Sequence, residues 1–98
     1  IKDRDVQVRK QVAERIPEVS LGLMVNDSSD EVRRIVAERL NADEAIVMLN
    51  DEDWMVRYTV AQKVDPLTLK ALLNDPEPDV RELASARFHS YQGNKHHD

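Results

Sequence analysis

The chain repeats itself every 24 residues, and that period limits its fold more than any other feature. Val-Arg stands at Val8-Arg9, Val32-Arg33, Val56-Arg57 and Val80-Arg81. Val-Ala follows at Val12-Ala13, Val36-Ala37 and Val60-Ala61, and has decayed to Ala84-Ser85 in the last unit. A cation recurs at Arg15, Arg39, Lys63 and Arg87, each followed by an apolar residue at Ile16, Leu40, Val64 and Phe88. Asn-Asp recurs at Asn26-Asp27, Asn50-Asp51 and Asn74-Asp75, with Asp3 in the same place in the first unit. The frame predicts one domain over 1–92, divided into units 1–24, 25–48, 49–72 and 73–92, with 93–98 as a mobile tail.

Each unit reads as two helical pieces. Val8, Val12 and Ile16 lie four residues apart, which stacks them along one helical face. Asp27, Ser28, Ser29 and Asp30 precede the second unit's helix and suit its exposed amides, as Asp51, Asp53 and Asp75 do farther on. Pro17 fits the first turn of a new helix and not the interior of an old one. The second pieces (Glu18–Val25, Ala42–Leu49, Pro66–Leu73) have room for about two turns and could be partly 3₁₀. They are apolar at Leu21, Met24 and Val25, at Ala45, Met48 and Leu49, and at Leu69, Leu72 and Leu73. A helical hairpin this small cannot bury its stripe alone, so neighbouring units must stack to make a continuous core. The fold class expected is all-α, a right-handed α-solenoid with its outer units less protected than its inner ones.

Composition narrows the function. Two glycines leave little for hairpins or phosphate-cradling loops. The absence of cysteine removes disulfides, thiolate metal sites and a cysteine nucleophile. A net charge of −5 disfavours unspecific binding to phosphate backbones. Ser20, Ser28, Ser29, Ser85 and Ser90 lack the setting of a hydrolase nucleophile. Glu52-Asp53 reads as helix-start charge, and the adjacent His96 and His97 point too far apart to chelate a metal on a helix. No enzyme activity, cofactor or metal is expected. The lack of a signal segment, of cysteine and of a long apolar run predicts a cytoplasmic location away from membranes.

The pattern Asp-x4-Val-Arg-x2-Val-Ala-x-Arg-Leu, carried by Asp27, Val32-Arg33, Val36-Ala37 and Arg39-Leu40 and followed by a short apolar helix, resembles the leucine-rich repeat variant family. That resemblance covers residues 1 to about 90 and implies a solenoid of alternating α and 3₁₀ helices, related to HEAT repeats but with shorter units. It implies no shared activity. An iron–sulfur cluster known in the family sits on cysteines outside the repeats, and this chain has none to carry one.

Two features remain as candidate sites. At about 100° per residue from Val8, Arg9 falls near 100°, inside the apolar stripe, where a guanidinium needs a partner. The aspartate column supplies one, so Arg9, Arg33, Arg57 and Arg81 are expected to bond to Asp3, Asp27, Asp51 and Asp75 within or between units and hold the stack in register. The second column, Arg15, Arg39, Lys63 and Arg87, falls near −20° on the stripe's edge, where it could track nucleic-acid phosphates. Unit charges of +1, −3, −1 and, for 73–98, −2 give no continuous basic stripe. The preferred expectation is a non-enzymatic interaction module that binds a protein partner through Trp54, Met55 and Tyr58, on an arc that is polar in the first two units, flanked by Ile35 and Leu83; nucleic-acid binding by the second cation column is the alternative, and the repeat portion of a larger protein is another. The alternative for these aromatics is purely local, Trp54 stapling the helix start and Tyr58 packing on its i−4 neighbour. End-to-end self-association through the apolar ends of the array is a third expectation.

Overall fold

The computed structural model describes residues 2–95, with side chains over 5–94. Four α-helices form one layer: α1 (Lys2–Arg15), α2 (Asp30–Arg39), α4 (Trp54–Lys63) and α5 (Pro78–Lys95). Short helices form the other layer. They are the 3₁₀ helices η1 (Glu18–Met24), η2 (Ile46–Met48) and η3 (Thr68–Leu72), with a single α turn, α3 (Ala42–Ala45), leading into η2. Contacts run in sequence order, α1 to α2, α2 to α4 and α4 to α5, while η1 rests on α2, η2 on α4 and η3 on α5. Each short helix therefore lies against the long helix of the following unit. The array is elongated, measuring 54 × 28 × 14 Å.

Local chemistry sets the element ends. Ser29 caps α2 by accepting the Glu31 N–H, and Asp53 caps α4 by accepting that of Val56. α2 and α4 stop where Leu40 and Val64 turn extended, at φ/ψ of −67/145° and −69/162°. The next residue starts the short helix: Pro17 ends α1's run, Asn41 accepts the Glu44 N–H, and Asp65 accepts that of Thr68. His89 holds that place in the fourth unit and starts nothing new. α5 continues as helix to Lys95, through Gly93 and Asn94 of the segment read as tail, and 96–98 lie outside the described residues.

The core is a single spine of small and branched side chains. Val32, Val36, Val56, Val60 and Val80 are fully buried, as are Leu21 and Leu69 from the short-helix layer and the alanines Ala13, Ala37 and Ala61. The first unit breaks the pattern. Val8 and Val12, which the spacing placed in the core, remain 55% and 42% exposed. Their stripe faces away from α2, toward the position that a preceding helix holds for every later unit.

Candidate functional site

The arginine–aspartate column is a rail along one edge of the stack. Arg9 Nε meets Asp27 at 3.0 Å, Arg33 Nε meets Asp51 at 2.9 Å, and Arg57 Nε meets Asp75 at 2.7 Å. Every pair crosses one junction, from a unit's long helix to the next unit's entry turn. Arginines of the column also reach back: Arg33 donates through Nη1 to the Asp27 carbonyl, Arg57 to that of Asp51, and Arg81, which meets no aspartate carboxylate among the described residues, to that of Asp75, at 2.7–2.8 Å, while the Asp3 side chain expected in this column lies outside the described residues. Each aspartate also closes its own turn by accepting the N–H two residues on, from Ser29, Asp53 and Glu77. The rail is thus continuous from Arg9 to Arg81. Burial pushes the Asp27 and Asp75 carboxyls up, but the arginine and N–H donors outweigh it and hold both below the usual carboxylate range. A second bridge from Arg34 to Asp53, at 2.8 Å through both Nε and Nη2, lowers the Asp53 carboxyl in the same way.

The second cation column does not face solvent as a ladder. Arg39 donates to the carbonyls of Ala13 and Ile16 at 2.9 and 2.7 Å, and Arg87 to those of Ala61 and Val64 at 2.7 and 2.8 Å. Lys63 takes the carbonyls of Ala37 and Leu40 at 2.8 and 2.7 Å, and also that of Glu38. These are the unpaired acceptors that the end of a helix leaves behind. Each cation therefore caps the long helix of the preceding unit. Burial lowers the Lys63 ammonium, with Glu38 partly offsetting it. Of the column expected to track phosphates, Arg39 and Arg87 commit Nη1 and Lys63 its ammonium to these carbonyls, while Arg15 alone is exposed and its side chain donates to none of the described residues.

The aromatic patch is partly core and partly surface. Trp54, Tyr58, Ile35 and Leu83 are half-buried against the spine, and Met55 is exposed. Trp54 and Tyr58 meet edge to face, their centroids 6.3 Å apart at 83°, which is the local contact the spacing allowed. A surface groove lined by Trp54, Met55, Tyr58 and Thr59 of α4, with Arg34 and Glu38 of α2 and Asp79 of α5, runs over this contact. Ile35 and Leu83 do not line it and serve the core.

The most exposed apolar side chains lie elsewhere, on the short-helix layer: Val19 at 91%, Leu23 at 87%, with Val47 and Leu67 also open. The wheel built on the long helices missed them. Their signal was the apolar excess of the second pieces beyond the three positions per unit that a buried face needs.

No protein-family model matches the chain, and no curated protein matches it. A solved structure described as a leucine-rich repeat variant with a novel repetitive protein structural motif superposes with a TM-score of 0.78 at 46% identity, over 88% of this chain. The match takes in 36% of that protein's chain, so the present array spans about a third of its length.

Proposed function

As the chain is a leucine-rich repeat variant, a helical-repeat solenoid, we propose that it is a non-enzymatic module that binds a protein partner on its surface. The observation that carries this is the groove over α4. It joins the single tryptophan, an edge-on tyrosine and an exposed methionine to a rim with both charge signs, Arg34 beside Glu38 and Asp79. Aromatic and methionine side chains with a ring of polar groups are the composition of a binding anchor. Three of the four cations that a nucleic-acid reading would use, Arg39, Lys63 and Arg87, hold helix-end carbonyls instead of forming an open ladder, which favours the protein reading.

A photo-crosslinking residue at position 55, introduced in the native host, is expected to capture a discrete protein; the same residue at Gln7, on the polar face of α1, is not. Met55→Asp, at an exposed site, should abolish binding of the captured protein and leave the thermal midpoint unchanged. Equal labelling from both positions, or undiminished binding by Met55→Asp, would overturn the assignment of the groove.

A further inference from the structure

The groove over α4 has a definite charge once its bonds are followed. Arg34, the one cation that lines it, is already held: Nε and Nη2 each bond Asp53 at 2.8 Å, and Nη2 also meets Asp30 at 3.3 Å. Its two acids are open. Glu38 on α2 and Asp79 on α5 are exposed, and neither carboxylate has an ion pair or hydrogen bond among the described residues. Lys63, whose ammonium feels the Glu38 charge, turns instead to the carbonyls of Ala37, Glu38 and Leu40. α4 packs between α2 and α5, so Met55, Trp54 and Tyr58 stand between the two acidic walls. The Trp54 indole N–H and the Tyr58 hydroxyl have no partner among the described residues, and no buried side-chain nitrogen or oxygen there lacks one, so both reach solvent.

We propose that this groove takes a basic segment of the partner, an apolar side chain flanked on both sides by lysine or arginine. The inference rests on the groove reading above and adds the charge and pattern of the occupant. The apolar side chain sits on Met55 and the rings, which is why an acid at position 55 breaks binding even of a basic segment. The flanking cations lay their alkyl stems over the groove and put their heads at Glu38 and Asp79. An acidic segment would meet two open carboxylates and a guanidinium whose charge Asp53 and Asp30 have taken, a like-charge arrangement that rejects it. Packed helices lie about 8–10 Å apart, so α2 and α5 stand about 16–20 Å apart across α4, within reach of two cationic side chains that about four extended steps of 3.3 Å separate.

The test adds the peptide Lys-Ala-Leu-Ala-Lys, blocked at both ends, to the intact chain at low salt and reads emission from Trp54, the single tryptophan. Emission should change saturably, and the double variant Glu38→Gln with Asp79→Asn should weaken binding about tenfold at an unchanged thermal midpoint. A net charge of −5 attracts cations everywhere, so Glu14→Gln, at an exposed site on α1, is the control and should change nothing. Glu-Ala-Leu-Ala-Glu should bind only when Glu38→Lys and Asp79→Lys reverse the walls. The proposal is overturned if emission does not respond to the basic peptide, if both peptides act alike on the parent, or if the double variant binds as the parent does. Binding of the crosslinked protein separates the two readings. If it falls with Met55→Asp and ignores the double variant, the basic occupant is wrong and the groove stands; if it ignores both, the groove itself is wrong.

Discussion

Asp27, Asp51 and Asp75 each hold three bonds at once: the arginine of the unit before, the N–H of their own turn, and, through the carbonyl, the arginine of their own unit. Removing one carboxylate leaves a largely buried guanidinium without its counter-ion. Asp51→Ala should therefore cost about 2–4 kcal/mol, measured by urea unfolding, far more than an exposed pair such as Lys10–Glu31 contributes. The linkage to pH has a definite sign. Asp27, Asp53 and Asp75 are held below their ordinary pKa in the fold, so their contribution is complete above the unfolded value of about 3.9 and lost as pH falls through the folded values. The thermal midpoint should be flat from about pH 7 to 5 and fall steeply below about pH 4. Asp75→Asn should lower the neutral plateau and flatten the acid limb; an unaltered limb would mean that other carboxylates govern acid unfolding. This rail was legible in the sequence because a cation inside an apolar stripe demands a partner, and one acid column had the right period. The capping column was not. Its acceptors are backbone carbonyls of a neighbouring unit, which no side-chain pattern announces.

The helices show how one sequence position acquires different weights. Val12 and Val36 occupy the same place in successive units, yet Val36 is fully buried while Val12 is 42% exposed, with no described helix packed on its side of α1. Val36→Ala should cost about 1–3 kcal/mol, against a few tenths for Val12→Ala. In the short-helix layer, Leu72→Ala should cost about 2–5 kcal/mol and Leu23→Ala almost nothing, since Leu23 is mostly in water. Comparable losses within either pair would show that stacking does not decide burial. Element type was readable from spacing and capping residues, including the 3₁₀ character that 24 residues force on the second piece. A local stripe, however, does not reveal whether a neighbour exists to cover it, so Val8 and Val12 read as core. The length of α5 was not legible for a related reason: Gly93 and Asn94 carry no helix signal, but His89 in place of a Pro, Asn or Asp supplies no break, and the helix runs on through them.

At the scale of the molecule, a stack whose units touch only their neighbours has a stability built from junctions, and the position of a broken junction decides how far the damage spreads. Asp27→Ala weakens the α1–α2 joint and leaves three units together. Asp51→Ala weakens the α2–α4 joint and divides the array into two pairs, each below the roughly three units needed to bury a common core. Native-state hydrogen exchange separates the two cases. In the parent, α2 and α4 should be the most protected, because each is covered on both sides. Asp27→Ala should speed exchange in α1 and η1 alone, whereas Asp51→Ala should speed it in all four long helices. If both variants accelerated exchange uniformly, the array would open as one block, and the junction-by-junction account of its stability would fail.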